Sequence, residues 1–295
     1  MLSIVIPLFN KEESIRYCLN SVFKQSYTNF ELIIVNDGST DKSPEIISEF
    51  VRDKRLRLIH QSNKGVSAAR NEGIRQSNGN WICFLDADDV WDKNYLSNVS
   101  KLIKKYPQAS MIGHAYYQMN TNNILIDFGL PPKFEGYIED YFSHVSSKRR
   151  TLYFTSATCV QRSVFDEIGG FDKRIRRGQD LDMWFRIALN YKIVYCDRRL
   201  VYYKVDSENN SKQIKDIKSW VHHFLLDKHY ALYKQESNFK YFVNYFLLFG
   251  LFRYFFLNEN REAIKDIVKR IEPNTLMHYV MKNWYLLYYT LSKYL

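Results

Sequence analysis

Over its first hundred residues the chain alternates two apolar patterns. Four short runs, Ser3–Pro7, Phe30–Asn36, Leu56–His60 and Trp81–Asp86, are dominated by Ile, Leu, Val, Phe and Trp. Phe30–Asn36, continuous in Leu, Ile and Val, reads as a parallel strand covered on both faces. Between the runs, apolar residues recur at the spacing of one helical face. They are Ile15, Leu19, Val22 and Phe23, then Ile46, Ile47, Phe50 and Val51, and finally Leu96, Val99, Leu102 and Ile103, with Gly65–Gln76 read as the third helix. Asn10 with Glu13 reads as a capping box for the first helix, and Ser43-Pro44 as cap and first-turn proline for the second. Repeated strand–helix order predicts an α/β fold, a parallel sheet with right-handed crossovers.

The pattern then loosens. Ser110–Met119 predicts a further strand and Gly129-Leu130-Pro131-Pro132 a break, with a basic cluster at Lys148-Arg149-Arg150. Phe154–Gln161 reads as extended and Arg162–Ile168 as a helix closed by Gly169-Gly170. Asp180–Leu189 predicts a helix, and Lys192–Cys196 and Leu200–Lys204 short strands. Beyond Asn210 only helical stripes remain: Ile214, Ile217, Val221 and Phe224; Ile264, Ile267, Val268 and Ile271; and Met277, Val280, Met281, Trp284, Tyr288 and Leu291. The expected organisation is an α/β domain over 1–208, with halves 1–106 and 107–208, and a helical appendage over 209–295. The most apolar segment, Tyr241–Leu257, only reaches the lower limit of about 17 residues for a membrane span. Packing within the appendage and an aromatic, basic helix lying on a membrane surface both fit it.

Every early strand ends in a polar signal on one edge of the expected sheet. Pro7-Leu8-Phe9-Asn10 follows the first and Asn36-Asp37-Gly38-Ser39-Thr40-Asp41 the second. Asn63-Lys64-Gly65 and then Ala69-Arg70-Asn71 follow the third, and Asp86-Ala87-Asp88-Asp89 the fourth. Open α/β sheets bind ligands outside the carboxyl ends of their strands. Carboxylates placed there suit a hard divalent cation bridging to substrate phosphates. An isolated D-x-D serves equally well as a solvated turn with Asp89 or Asp92 capping the next helix; four such ends in order favour the ligand site.

Composition adds two bounds. Cys18, Cys83, Cys159 and Cys196 form no C-x-x-C pair and read as buried thiols of a reducing compartment. The first residues lack a basic stretch and a long apolar run, so no secretory signal is expected. The formal charge of +10 favours anionic partners, with 14 basic against 9 acidic residues from Lys204 onward. No basic run has the signature of a nucleic-acid recognition module.

The ordered set Ser3-Ile4-Val5-Ile6-Pro7…Asn10, Val35-Asn36-Asp37-Gly38-Ser39-Thr40-Asp41, Asn63-x-Gly65…Ala69-Arg70-Asn71-x-Gly73 and Phe84-Leu85-Asp86-Ala87-Asp88-Asp89 resembles the family 2 glycosyltransferases. Gly169-Gly170-Phe171-Asp172, Gly178-Gln179-Asp180-x-Asp182-x-Trp184-x-Arg186 and Tyr202-Tyr203-Lys204 extend the likeness over residues 1–205. The resemblance implies inverting enzymes of the GT-A fold, a Rossmann-like, mostly parallel sheet flanked by helices, here with a C-terminal helical appendage. It implies a nucleotide-diphosphate sugar donor, most simply a UDP-sugar, and a Mg²⁺ or Mn²⁺ cofactor. The donor would lie against Pro7, Asn10, Asp37, Asn63, Gly65, Arg70, Asp86 and Ala87. Asp37 would take the base or ribose, or close an Asx-turn; Arg70 would lie near the nucleotide, or pair with Asp37 or Asp86. Asp88 would ligate the metal, with Asp89 in support, and Asp180 would be the general base for the acceptor hydroxyl, although Asp is also favoured in a helix's first turn.

Two departures stand out. Gln179 replaces the usual Glu before the base, and Asp206 stands where many relatives have a metal-reaching His, which makes it a candidate second ligand or an ordinary loop residue. Gln179 and Trp184 are assigned to the acceptor side. The acceptor would be a growing surface glycan or a lipid-linked oligosaccharide. The expected location is cytoplasmic, with the tail a candidate for contact with the inner face of the membrane. Two other functions share part of this pattern. A nucleotidyltransferase should carry a Gly-rich, Lys-containing loop after the first strand, which Pro7-Leu8-Phe9-Asn10 lacks. A non-catalytic nucleotide-sugar-binding or scaffold protein is suggested by Gln179.

Overall fold

The computed structural model describes residues 1–119, 125–128, 134–148, 151–204, 216–255 and 260–291. The chain forms two compact units, one of residues 1–139, 152–173 and 179–213, the other of 140–151, 174–178 and 214–295.

In the first unit, β1 (Leu2–Leu8), β2 (Phe30–Asp37), β3 (Leu56–Gln61) and β4 (Trp81–Phe84) pair in parallel in the order β3-β2-β1-β4. Their connections carry α1 (Ile15–Phe23), α2 (Ser43–Ser48) and α3 (Val66–Gln76). The near-continuous apolar runs of β1, β2 and β4 are needed because both faces are covered, whereas β3, at the edge, is only partly buried. Leu32 and Ile34 of β2 join Ile15, Leu19 and Val22 of α1 on one face, while Ile33 and Val35 pack with Ala69 of α3 on the other. Helix α3 lies so close to the sheet that a Cβ on Gly73 would come within 2.3 Å of Val5. After Asp89 the chain forms β5 (Val90–Trp91), α4 (Tyr95–Lys105), β6 (Met111–His114), β7 (Tyr116–Met119), β8 (Leu125–Phe128) and β9 (Glu135–Tyr137). The single strand expected over Ser110–Met119 is thus two. They belong to different sheets, with a break at Ala115, whose N–H is taken by the Cys196 carbonyl.

Helix α5 (Tyr141–Lys148) belongs to the second unit. Back in the first, Thr155–Ala157 is a 3₁₀ turn rather than extended chain, and leads into β10 (Thr158–Gln161). Then come α6 (Arg162–Ile168), α7 (Gln179–Asn190), β11 (Ile193–Cys196) and β12 (Val201–Lys204). β10 joins the large sheet antiparallel to β4 and β6, giving the order β3-β2-β1-β4-β10-β6-β11-β9; β5-β12-β7-β8 form a second sheet. All four cysteines are buried and free.

The capping box expected at Asn10 does not form. Helix α1 starts at Ile15 after Ser14, with no side-chain cap. Asn10 instead adopts φ 48° and spends its amide on the loop after β2, accepting from the Thr40 N–H at 2.8 Å. A cross-loop partner has displaced the local one. Similarly Ser43 is the first residue of α2, and Lys42 is its cap.

The second unit adds α8 (Val221–Lys228), α9 (Tyr230–Gln235), α10 (Ser237–Phe255), α11 (Arg261–Arg270) and α12 (Leu276–Leu291) to α5. It also takes in residues 140–151 and 174–178, upstream of residue 208. Phe142 of α5 packs on Phe239 and Phe242 of α10, and the Arg177 carbonyl accepts the Val221 N–H at 3.0 Å. Ile264, Ile267 and Val268 are buried, as their stripe predicts. The third stripe is not: Met277, Val280 and Trp284 are exposed, and α12 buries His278, Tyr285 and Tyr289 instead. On the inward face Tyr285 donates to the Leu248 carbonyl at 2.7 Å. Ile214 lies outside the described residues. Among the described residues, no helix is long and apolar enough to cross a membrane.

Candidate active site

The carboxyl ends of β1, β2 and β4 carry the residues singled out above, and hydrogen bonds across loops hold them. Asp37 ends β2, 3% exposed, and its carboxylate accepts three bonds: Gln61 Nε2 at 2.6 Å, Lys64 N–H at 2.8 Å and Gly65 N–H at 2.8 Å. It closes no Asx-turn; its acceptor oxygens clamp the loop that starts α3. Gly38, at φ 77°, is pressed against that loop, and a Cβ there would lie 2.8 Å from the Asn63 nitrogen. Asn63 and Gly65 are thereby held beside Asp37, and Gly65 itself takes φ 87°.

Arg70, on the second turn of α3, donates Nη2 to Asp86 at 2.6 Å and lies over the Phe171 ring. Its side chain is 3% exposed, yet Nε and Nη1 have no hydrogen-bond partner among the described residues. A buried guanidinium rarely leaves donors unused, because unpaired buried donors cost free energy. Asn71, next along, fixes the Gly169-Gly170-Phe171 segment by a two-way bond to the Phe171 backbone, 2.8 Å each way.

The three acids after β4 separate cleanly. Asp86 keeps 28% of its side chain exposed while pairing with Arg70. Burial pushes its carboxyl above the ordinary range, Arg70 pulls it back, and Asp88 and Asp180 push it up again. Ala87 is 2% exposed and belongs to the core. Asp88 pairs with Lys11 Nζ at 2.8 Å. Asp89 is fully buried, accepting from Ser156 Oγ and, at 3.1 Å, from the Lys204 N–H. Burial, then Asp88 and Asp86, hold its carboxyl well above the ordinary range. It supports the loop from within and touches no open surface.

Asp180 sits in the first turn of α7. Its Oδ1 accepts its neighbour Leu181's N–H at 2.9 Å and its Oδ2 accepts from Thr155 Oγ1 at 3.1 Å. Ser156, next to Thr155, accepts the Asp86 N–H at 3.0 Å and donates to Asp89. The 3₁₀ turn Thr155-Ser156 therefore joins the acids after β4 to Asp180, which is close enough to raise the Asp86 pKa. Gln179 is 7% exposed and its Oε1 has no partner among the described residues. Trp184 is fully buried against Phe84 and Phe171, so it shapes the core under α7 rather than meeting an acceptor. Pro7 pairs with Val35 inside the sheet. Asp206 lies outside the described residues.

Three participants were not anticipated. Lys11 carried a signal, a cation directly after Asn10 on an edge rich in acids. Thr155 and Ser156 carried none, since their place depends on β10 pairing antiparallel beside β4. Among the described residues, no group of three or more His, Cys, Asp or Glu is arranged to hold a metal. Asp86 and Asp88 offer two carboxylates, which is enough for a cation that takes its other ligands from substrate phosphates and water.

The family model described as Glycosyl transferase family 2 matches residues 3–169. The glycosyltransferase GlyA of Streptococcus pneumoniae is 29% identical over 262 residues, 79% of this chain and 37% of that protein. The uncharacterized glycosyltransferase EpsJ of Bacillus subtilis is 29% identical over 189 residues, 61% of this chain and 54% of that protein. The chain thus spans between about a third and about half of the length of these relatives. The crystal structure of residues 1–349 of S. aureus TarS with UDP-GlcNAc superposes with a TM-score of 0.73 at 18% identity, over 92% of this chain and 81% of that one. At that identity the likeness establishes the shared GT-A fold. With the family's model covering more than half of its length, and that fold carrying the polar strand ends, the chain belongs to glycosyl transferase family 2.

Proposed function

We propose that the chain transfers a sugar from a UDP-sugar to a hydroxyl of a growing surface glycan or lipid-linked oligosaccharide, with inversion at the anomeric carbon. The observation that carries this is the Thr155-Ser156 turn, which links Asp180 to the acids on the nucleotide side. Inversion in one displacement needs a base facing the acceptor and charge stabilisation facing the leaving group. Asp180 would take the proton from the acceptor hydroxyl as its oxygen bonds the anomeric carbon. Thr155 orients Asp180 without neutralising it. Arg70, with two donors to spare, would bind the departing nucleoside diphosphate, and the Asp37-clamped loop would seat the base and ribose. A Mg²⁺ or Mn²⁺ at Asp88 beside Asp86 would supply Lewis-acid neutralisation of the diphosphate. TarS, a structural neighbour, is crystallised with UDP-GlcNAc, which supports a UDP-sugar as donor. The exposed apolar residues of α12 in a basic tail keep peripheral contact with the cytoplasmic face of a membrane within this proposal.

The test is UDP release from a panel of UDP-sugars, with and without Mn²⁺, for wild type and Asp180→Asn. Metal-dependent release that the substitution abolishes is the expected result. UDP binding without turnover for any donor or acceptor would sink the enzymatic proposal in favour of a nucleotide-sugar-binding scaffold, the alternative that Gln179 suggests.

A further inference from the structure

Lys11 is the cation closest to the proposed metal ligand, yet nothing above gives it a task. Its Nζ lies 2.8 Å from Asp88 Oδ2, with the two side chains 11% and 12% exposed. Its backbone is fixed: the N–H donates to Ser43 Oγ at 2.8 Å, and the carbonyl accepts from Ser14 and Ile15 at 3.1 and 2.9 Å. The flexible four-carbon stem is therefore the part that can move. An ammonium and a divalent cation compete for one carboxylate, and each repels the other within a few ångströms. A diphosphate, by contrast, attracts both, and lysine binds phosphate as a mobile point charge.

Resting on the metal-assisted reading above, we infer that Lys11 is an exchange residue for Asp88. Without donor it neutralises Asp88 and keeps metal affinity low. When a nucleoside diphosphate enters, the ammonium moves from the carboxylate to a phosphate oxygen, and Asp88 becomes available to the cation. Metal and nucleotide then bind cooperatively through a charge swap at one side chain. By linkage, the factor by which UDP tightens Mn²⁺ equals the factor by which Mn²⁺ tightens UDP. The swap also spares the site an uncompensated, half-buried carboxylate between turnovers. Lys11 is a positioning residue in this scheme, acting on the metal through Asp88.

Mn²⁺ binding, read by electron paramagnetic resonance and calorimetry with and without UDP, tests this on the full chain without any turnover. Wild type should bind Mn²⁺ at least tenfold tighter when UDP is present. Lys11→Met should bind Mn²⁺ severalfold tighter than wild type in the absence of UDP, and the UDP-linked gain should shrink by the same factor. Lys11→Arg, which keeps the charge, should retain weak metal binding without UDP. Should Lys11→Met prove too unstable alone, its melting temperature must rise more on Mn²⁺ addition than wild type's. Mn²⁺ bound equally by wild type and Lys11→Met overturns the exchange role and leaves the metal reading standing. UDP bound with no Mn²⁺ uptake in any variant overturns both.

Discussion

Asn244 in the helical unit and Arg70 in the α/β unit are both buried polar side chains, and they use their hydrogen-bonding capacity differently. Asn244 lies fully buried in α10 and completes its bonds inside the protein. It accepts from the Tyr233 hydroxyl at 2.8 Å and donates to the Glu272 carbonyl at 2.8 Å and to Asn274 Oδ1 at 3.1 Å. Arg70 spends one nitrogen on Asp86 and leaves Nε and Nη1 without a partner among the described residues. A satisfied buried network fixes a packing arrangement; a half-satisfied one on the carboxyl edge of a sheet is, under the function proposed above, where the donor would bind. The same contrast holds for the acids. Burial raises the pKa of both Asp86 and Asp89, but Asp89 answers to Ser156 and the Lys204 N–H inside the protein, whereas Asp86 keeps 28% of its side chain exposed beside Arg70.

Four experiments would break or sharpen this contrast. The largest effect is expected at Asp180: Asp180→Asn should lower kcat by roughly 10²- to 10⁴-fold, the usual contribution of a positioned base, with the melting temperature nearly unchanged. A kcat within threefold of wild type would remove Asp180 from the proton transfer. Next, Arg70→Lys keeps the charge and loses the planar fork. UDP affinity measured by calorimetry should fall by about tenfold or more, the loss expected for one or two charge-assisted hydrogen bonds. Asn244→Leu should do the reverse, leaving UDP affinity unchanged while lowering unfolding free energy by about 1–3 kcal/mol for each group left unpaired. If that variant weakened UDP binding as strongly as Arg70→Lys, the division between a structural network and a ligand-ready one would fail.

The smallest effect concerns pH. Burial pulls His222 of the helical unit from its ordinary 6.5 to about 3, so the native state excludes a proton that the unfolded chain binds. Its contribution is fully present above pH 6.5 and is lost as pH falls towards 3. His222→Asn should reduce the acid slope of stability by up to about 1.4 kcal/mol per pH unit in that window. Urea unfolding at pH 7 and pH 5 measures it against wild type in the same buffers. That pairing is needed because the raised Asp86 and Asp89 act with the opposite sign, losing stability as pH rises. An unchanged slope would mean that His222 is not held neutral.

Much of the α/β unit was legible in the sequence because its signals are local. A run such as Phe30–Asn36 has the length and composition of a doubly covered strand before its neighbours are known, and each strand's end names the residues on the carboxyl edge. The helical unit was less so. Its third stripe has helical spacing and still faces outward, while His278, Tyr285 and Tyr289 turn inward and Tyr285 donates to the Leu248 carbonyl. Asn10 failed as a cap for a related reason: Thr40, thirty residues away, was a better partner than its own helix.

By itself, then, the sequence determined the strand–helix order, the edge on which Asp37, Arg70, Asp86 and Asp88 gather, and the helix that carries Asp180. Those features follow from side-chain period and chain direction, both written into consecutive residues. Only the tertiary structure decided that Lys11 reaches Asp88, that Asp89 is buried beneath the loop, and that Thr155-Ser156 ties the acids to Asp180. Each of those depends on two segments tens of residues apart meeting across a sheet. Their juxtaposition is set by strand register and packing, which no local pattern encodes.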